Sequence, residues 1–298
     1  MKAPEFDYVR PSCVEEACAY LAQGDEDEEV RVLAGGQTLV PMMALRLARP
    51  SVLVDISRLD SLREIACDEN SVSVGACVTQ AQALDSTAVR DELPLLWEAL
   101  GWVAHPAIRS RGTLGGSIAN ADPAAEIPLV AGVLEADVLL QSQSEARVMS
   151  VREFVRGPME TALRPAECLV GVRFPRADAE ERRGWGFEEV ARRAGDFAVV
   201  AAAVDVELDE QSRCRRIRMG LGNVAPQPLW LPAVCERLAG TALGEEEVRE
   251  ALYDLQDVLD PATDAHVDAG YRRWVAPNLL GRAIETARRR ASGYQGQS

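Results

Sequence analysis

Two glycine pairs, each flanked by hydroxyl side chains, are the part of this sequence whose residue types could do chemistry. One pair lies in LAGGQTLV (residues 33–40), and the other in RGTLGGSIANADPAAE (residues 111–126). Adjacent glycines let the backbone adopt positive φ and let another molecule approach its N–H groups closely. Successive backbone N–H groups in such turns bind anions. The two stretches together therefore predict one anionic ligand, such as a diphosphate, held by main-chain amides.

In the second stretch, we predict that the amides of Gly115, Gly116 and Ser117, together with the Thr113 hydroxyl, cradle the diphosphate. For each stretch taken alone, a tight turn without a ligand stays open as an alternative. The first stretch is not a Rossmann fingerprint, because it lacks the third glycine and a following acidic residue. It is not a P-loop either, because no Gly-Lys-Ser/Thr follows.

Several side chains near the second stretch are candidates for further ligand contacts. Asp122 and Pro123 predict a helix start, since aspartate caps helices and proline suits the first position. Glu126 would lie near the mouth of that helix and accept hydrogen bonds from ligand hydroxyls, unless it is a plain surface carboxylate. Val103 and Ile108 would pack against an aromatic ring, or else belong to the core.

Other polar motifs are interpreted as structural. The run RRAGDF (residues 192–197) is read as the beginning of a strand rather than a site. Neither His105 nor His266 has the neighbours of a catalytic triad, and there are no paired catalytic carboxylates and no activated serine or cysteine. The sequence therefore predicts a binding site with no catalytic residue and no metal.

Composition limits the function classes. A net charge of -15 over 298 residues argues against nonspecific nucleic-acid binding. The seven cysteines form no C-x-x-C pair and there are two histidines, which argues against a zinc or iron–sulfur framework and favours buried thiols of a reducing compartment. No run of 18 apolar residues and no signal-peptide pattern is present. We therefore expect a cytoplasmic protein.

Three units are expected to position these residues. Residues 1–57 predict a small unit of strands and short helices, and residues 58–176 a second α+β unit. A charged stretch then leads into residues 177–290, a three-stranded antiparallel sheet with helices on one face. Pro277 should break or kink the last helix. Residues 291–298 are expected to form a frayed tail.

With these motifs identified, the chain resembles the FAD-binding medium subunits of molybdenum hydroxylases, the family of the carbon monoxide dehydrogenase flavoprotein subunit and the xanthine dehydrogenase FAD domain. AGGQTLVPMMALRLARP (residues 34–50) and IRSRGTLGGSIANADPAAEIP (residues 108–128) resemble the two family signatures. RRAGDFAVVAAAV (residues 192–204) and GLGNVAPQP (residues 220–228) resemble its C-terminal domain. The resemblance implies an α+β fold: two subdomains, like those of vanillyl-alcohol oxidase, binding FAD between them, then the C-terminal antiparallel sheet.

The resemblance also implies which residues contact FAD. The first stretch would wrap the cofactor, with residues 35–38 at the pyrophosphate, and residues 113–117 would meet the same group from the other side. Glu126 would lie near its sugar-like hydroxyls, and Val103 and Leu169 match further contact positions, whereas Ile108 is inferred from its place beside the loop. The predicted cofactor-binding residues are Leu33, Ala34, Gly35, Gly36, Gln37, Thr38, Leu39, Val40, Val103, Ile108, Thr113, Leu114, Gly115, Gly116, Ser117, Glu126 and Leu169.

The mechanism implied by the resemblance is electron relay within an obligate complex, a dimer of heterotrimers. A large molybdopterin subunit would hydroxylate the substrate with oxygen from water, and [2Fe–2S] clusters in a small subunit would pass electrons to FAD here and on to an external acceptor. Many relatives have lysine where this chain has Ala44, and histidine where it has Asn120. In xanthine dehydrogenase, a lysine near the flavin aligns roughly with Glu188. Charge near the flavin changes the cost of reducing it, so we expect an altered potential or acceptor preference.

Two other interpretations stay open. One is a free-standing FAD oxidase of the vanillyl-alcohol oxidase type, although neither a separate substrate domain nor a residue for covalent flavin attachment is evident. The other is a structural subunit that has lost its flavin, although both glycine stretches are intact. The sequence names neither the organic substrate nor the acceptor, for which NAD, a quinone, a cytochrome and oxygen are all open.

Overall fold

Three β-sheets of three to five strands, each with its own helices, follow one another along the described residues in the computed structural model. The structure describes residues 2–25, 28–176 and 182–293. The first sheet ends at Asp55 and the second begins at Ile65, and the second ends at Pro175 while the third begins at Arg182. We therefore propose unit boundaries at 57 and 176. The first residues of the predicted third unit (177–181) and most of the predicted tail (294–298) lie outside the described residues.

The first unit is a three-stranded parallel sheet in which the last strand lies in the middle, in the order β1-β3-β2. Its second strand ends at Leu33, directly before the first glycine pair, and a short helix follows that pair. The first glycine stretch is therefore the turn at the carboxyl end of a parallel strand. Along the chain the elements are β1 (Asp7–Val9), α1 (Val14–Leu21), β2 (Val30–Leu33), α2 (Leu39–Ala44) and β3 (Val52–Asp55).

The second unit is a five-stranded antiparallel sheet with a group of short helices, plus a two-stranded ribbon. The strand order is β4-β5-β10-β6-β7, and β8 pairs with β9. Its elements are β4 (Ile65–Cys67), β5 (Ser71–Gly75), α3 (Gln80–Asp85), α4 (Thr87–Glu92), α5 (Pro94–Trp102), α6 (Pro106–Arg109), α7 (Leu114–Asn120), α8 (Glu126–Val133), β6 (Asp137–Gln141), β7 (Ala146–Ser150), α9 (Val151–Phe154), β8 (Val155–Gly157), β9 (Glu160–Thr161) and β10 (Cys168–Pro175).

Helix α8 joins the second unit to the third. All eight of its residues are buried, and it packs against α5 on one side and against two strands of the C-terminal sheet on the other. A helix that is apolar nearly all round must be covered on every face. Glu126, at its first position, is the one charged residue in this buried helix.

The helix start predicted at Asp122 is wrong. The Asp122 carboxylate accepts a hydrogen bond from the amide of Ala124 at 2.9 Å, and its carbonyl accepts one from Ala125 at 3.0 Å, so these residues form a turn. The helix begins at Glu126 with Ala125 as its cap. Aspartate stabilises such side-chain turns as readily as helix starts, and the two cannot be told apart from residue type.

The third unit is an antiparallel sheet of four strands in the order β11-β12-β13-β14, one more than predicted, because a two-residue strand pairs with the edge of the predicted three. Its elements are β11 (Arg182–Ala191), β12 (Ala198–Leu208), β13 (Cys214–Gly222), β14 (Leu229–Trp230), α10 (Pro232–Leu238), α11 (Glu245–Ala251) and α12 (Ala269–Ala291). Among the described residues, no helix is both long and apolar enough to cross a membrane.

Helix α12 continues through Pro277, so a break there is wrong and a kink stays a prediction. A proline inside a helix costs about 3 kcal/mol, and burial of one face of α12 on the sheet offsets this cost. The contact is close: a Cβ atom at Gly184 would lie 2.0 Å from the carbonyl oxygen of Ala287, and one at Gly186 would lie 2.1 Å from that of Ala283. Two glycines that are two residues apart on strand β11 thus pack against two alanines that are four residues apart on helix α12.

Candidate ligand-binding cleft

A cleft of about 790 Å³ lies between the two glycine stretches, and the C-terminal unit forms part of its wall. Its volume falls within the range of ligand pockets in proteins, about 300–1,000 Å³. Residues from all three units line it. The structure thus brings together segments that are separated by more than 200 positions in the sequence.

The two glycine stretches touch each other at the cleft. A Cβ atom at Gly35 would lie 2.1 Å from the carbonyl oxygen of Arg111 and 2.9 Å from the Cα atom of Gly112. A Cβ atom at Gly116 would lie 3.8 Å from that of Ala34. Only glycine fits at position 35, because any side chain there would push the two backbones apart.

The first stretch presents free amides. Within the part of the chain that the structure describes, the amides of Gly35, Gly36, Gln37 and Thr38 donate no hydrogen bond. The backbone at Gly36 has φ +71°, which glycine adopts readily. Four successive N–H groups without protein partners in a turn form the kind of concave site that binds anions.

The amides of the second stretch have hydrogen-bond partners within the protein, and the prediction that they hold the diphosphate stays a prediction. Gly115 donates to the carbonyl of Ala76 at 3.1 Å, and Gly116 donates to the Thr113 hydroxyl oxygen at 3.0 Å. Ser117 donates to the Thr113 carbonyl at 3.1 Å. The stretch is the capped first turn of helix α7, backed by a neighbouring segment. What it offers the cleft are the side chains of Thr113 and Ser117, both of which line it.

Most of the predicted contact residues line the cleft, and four do not. Those that line it are Leu33, Ala34, Gly35, Gly36, Gln37, Thr38, Leu39, Val103, Ile108, Thr113, Gly116, Ser117 and Glu126. Val40 is half exposed and lies outside it, Leu114 and Leu169 are buried in the core of the second unit, and Gly115 packs against Ala76. Contact between any of these residues and a ligand stays a prediction.

Two carboxyl groups, on helix α8 and strand β11, have raised pKa values. Glu126 lines it and is 5% exposed, and its pKa is raised to about 7, chiefly by burial and also by the negative charge of Asp122. Burial and the charge of Glu126 raise the pKa of Glu189 on β11 to about 8. The Oε2 atom of Glu189 has no hydrogen-bond partner. Both groups therefore hold protons more tightly than exposed carboxyls do.

The sequence missed several cleft residues in the C-terminal unit. The run at 192–197 does lead into β12, but Arg192, Gly195, Asp196 and Phe197 also line the cleft. Gly195 has φ +81°, and a Cβ atom there would lie 2.5 Å from the ring of His105. The same unit also lines the cleft with Asp264, His266, Val267 and Arg272. The likeness of RRAGDF to the family's C-terminal domain was the available signal.

A cleft residue of the second unit was missed as well. Gln80 is 6% exposed, lines the cleft, and has a side-chain oxygen without a partner. Of the three positions where the chain departs from many relatives, Asn120 lines the cleft, whereas Ala44 does not. Glu188 lies outside it and pairs with Arg282 at 2.9 Å.

Comparison with known proteins identifies the family. A model of the FAD-binding domain in molybdopterin dehydrogenase matches residues 4–177, and one of the carbon monoxide dehydrogenase flavoprotein C-terminal domain matches residues 185–287. The chain belongs to the FAD-binding medium subunits of molybdenum hydroxylases. The resemblance drawn from the two signatures is thus confirmed, as is an α+β fold with an FAD-binding part and a C-terminal domain.

Individual relatives align along nearly their whole length with this medium subunit. The 6-hydroxypseudooxynicotine dehydrogenase complex subunit alpha of Paenarthrobacter nicotinovorans is 36% identical over 98% of this chain and 97% of its own length. Caffeine dehydrogenase subunit beta of Pseudomonas sp. (strain CBB1) is 35% identical over 96% of each. These relatives are subunits of multisubunit oxidoreductases.

Solved structures of related enzymes have the same fold. A carbon monoxide dehydrogenase from Hydrogenophaga pseudoflava, which lacks the Mo-pyranopterin moiety of its molybdenum cofactor, superimposes with a TM-score of 0.93, 36% identity, and coverage of 97% of this chain and 99% of the other. Quinoline 2-oxidoreductase from Pseudomonas putida 86 gives a TM-score of 0.90 with 35% identity and 99% of each chain covered.

The cleft of this medium subunit fits FAD. A diphosphate needs donors, and the first stretch supplies amides without partners while the second supplies hydroxyls. Sugar hydroxyls need acceptors, which Glu126 can provide. FAD is the cofactor of this chain. Within the described residues, no group of three or more histidine, cysteine, aspartate or glutamate side chains is arranged to hold a metal ion.

Proposed function

We propose that this chain takes electrons from [2Fe–2S] clusters of a small partner subunit and passes them to an external acceptor. A large molybdopterin subunit hydroxylates the organic substrate with oxygen from water. When bound, FAD supplies a carrier that accepts and releases the two electrons of this reaction. The observation that supports the proposal is the cleft itself, in which two glycine stretches from different units meet around free amides.

Each group lining the cleft has a proposed task. The amides of residues 35–38 bind the diphosphate, because they donate no hydrogen bond within the protein. Such short-range donors can bind a diphosphate although the net charge of -15 repels it. The hydroxyls of Thr113 and Ser117 bind it from the opposite wall. Glu126 accepts hydrogen bonds from cofactor hydroxyls. Val103 and Ile108 give the cleft apolar surface for a ring.

The metal centres of the reaction belong to partner subunits in this proposal. All seven cysteines are free thiols, and Cys18, Cys77, Cys168 and Cys214 are buried. Free thiols also support a reducing, cytoplasmic location. The relatives carry names with different substrates, including caffeine and carbon monoxide. This variety supports a substrate pocket on the large subunit. We place the three subunits in a dimer of heterotrimers.

The test is to purify the chain alone and then with the products of its neighbouring genes. Alone, it should bind FAD, with absorbance near ~370 and ~450 nm, release it on acid precipitation, and fail to oxidise N-heteroaromatic, purine or aldehyde substrates. The complex should oxidise one of them and lose its ~450 nm absorbance as it does so. Substrate turnover by the isolated chain, or absence of flavin from both preparations, would overturn the proposal.

A further inference from the structure

A strained residue lies in the wall of the cleft. Ala104 has φ +40°, which glycine adopts readily and other residues rarely do. It belongs to the three-residue link between helices α5 and α6, and both Val103 and Ala104 line the cleft. Val103 is extended, and so is His105, which Pro106 keeps out of the helical region. The change of direction between the two helices therefore falls on Ala104.

The side chain of Arg109 holds this link. Its Nη1 atom donates to the carbonyl of Val103 at 2.6 Å and to that of Ala104 at 2.9 Å. Since Val103 directly follows α5, the guanidinium also lies at the carboxyl end of a helix, where a positive charge is favourable. Positive φ in a residue other than glycine costs free energy and persists only where surrounding contacts impose it. The two hydrogen bonds from Arg109 are such contacts.

Helix α6 connects this link to the place where the two glycine stretches touch. Arg109 is its last residue, and the amide of Gly112 donates to the carbonyl of Ile108 within the helix at 2.8 Å. A Cβ atom at Gly35 would lie 2.9 Å from the Cα atom of Gly112, so the first glycine stretch packs on the segment that follows α6. One short helix therefore lies between the strained link and the stretch that carries the free amides.

We propose that Arg109 is a positioning residue: by holding Val103 and Ala104 in the strained link, it sets the wall against which a ring of FAD packs. The inference rests on the proposed function, which places FAD in this cleft with its diphosphate at the first glycine stretch. The two hydrogen bonds fix that wall relative to the diphosphate site. Without them, Ala104 relaxes toward negative φ and the wall moves. The strain at Ala104 is what makes the cleft depend on Arg109.

The test measures FAD dissociation constants of purified R109M, A104G and the double variant A104G/R109M. R109M removes both hydrogen bonds and should weaken FAD binding by about 5- to 30-fold, the equilibrium factor for relaxing one strained residue. Glycine adopts positive φ without this cost, so A104G should bind FAD within about 2-fold of the wild type. The double variant should bind FAD at least about 3-fold more tightly than R109M. The visible circular dichroism of bound flavin should change in R109M and return in the double variant.

Two further variants sharpen the test. R109K keeps the charge and can donate to one of the two carbonyls, so it should lose less FAD affinity than R109M, and A104G should restore that loss as well. Ala166→Gly is the matched control, because Ala166 has φ +64° and does not line the cleft. A166G relieves the same kind of strain, yet it should restore no FAD affinity when combined with R109M or R109K.

ADP, which lacks the isoalloxazine, identifies the ring. An equal loss of ADP affinity in R109M assigns the wall to the adenine, and an unchanged ADP affinity assigns it to the isoalloxazine. Wild-type FAD affinity in R109M and R109K, or a loss that A104G does not reduce, would overturn the inference and leave the proposed function standing. Failure of the wild-type chain to bind FAD would overturn the proposed function itself.

Discussion

Replacing Gly35 by alanine should weaken FAD binding by about 10- to 100-fold, the effect of forcing one extra methyl group into a packed site. The added Cβ atom would lie 2.1 Å from the carbonyl oxygen of Arg111, which is backbone and cannot rotate away. The two stretches must therefore separate. That movement displaces the four free amides of residues 35–38 relative to the hydroxyls on the opposite wall. Titration of the purified variant with FAD, followed by flavin fluorescence, measures the effect.

Gly101→Ala is the matched control. Gly101 lies in helix α5, and a Cβ atom there would have no heavy atom within 4 Å. Alanine should stabilise that helix by about 0.5–1 kcal/mol and leave FAD affinity unchanged. An undiminished affinity in G35A would show that contact between the two stretches does not organise the site.

Glu126→Gln should remove most of the pH dependence of FAD binding. The wild type should bind FAD more tightly as the pH rises through about 7, because the carboxylate formed there accepts hydrogen bonds more strongly than the neutral acid. At pH 8.5 the variant should bind FAD about 10- to 100-fold more weakly, the loss of a charge-assisted hydrogen bond. FAD dissociation constants of both proteins from pH 5.5 to 8.5 test this expectation.

Stability without FAD should change in the opposite direction. The pKa of Glu126 is about 7 in the folded chain against an ordinary value of 4.5, so the folded state binds this proton more tightly than the unfolded state. The resulting stabilisation is complete below pH 4.5 and is lost as the pH rises through 7, a change on the order of 3 kcal/mol in the free energy of unfolding. The raised pKa of Glu189 changes the free energy of unfolding with pH in the same direction, and Glu189 remains in E126Q. The free energy of unfolding of the double variant E126Q/E189Q should therefore depend on pH even less than that of E126Q.

An exposed residue supplies the comparison for Glu126. Glu250→Gln, on the surface of helix α11, should leave both pH profiles as they are in the wild type. Parallel FAD-binding profiles for wild type and E126Q would contradict a role for this carboxylate in holding the cofactor.

Features that depend on neighbouring residues were predictable from the sequence. Thr79 and Gln82 have the types and the spacing of a capping box, and they form one, with both reciprocal hydrogen bonds present. A short apolar run before the first glycine pair is typical of a strand, and the strand there ends at Leu33. Such features follow from turn and cap chemistry within a few positions, which residue types reveal.

Features that depend on distant partners were not predictable. The Gly115 amide is engaged by Ala76, nearly 40 positions earlier, and nothing near Gly115 in the sequence indicates this. The two glycine pairs are similar in sequence, yet the amides of the first pair have no hydrogen-bond partner within the protein, whereas those of the second pair do. Likewise, Gln80 becomes a cleft residue only because Gly112 packs against it. Tertiary contact decides which polar groups remain free for a ligand.

The most direct test of the account is amide hydrogen exchange of the chain with and without FAD. The amides of residues 35–38 should exchange quickly in the free protein and at least about 10-fold more slowly with FAD bound. The amides of residues 114–117 should be protected in both states, because they are bonded within the protein. Protection by FAD at residues 114–117 with no change at residues 35–38 would contradict the account.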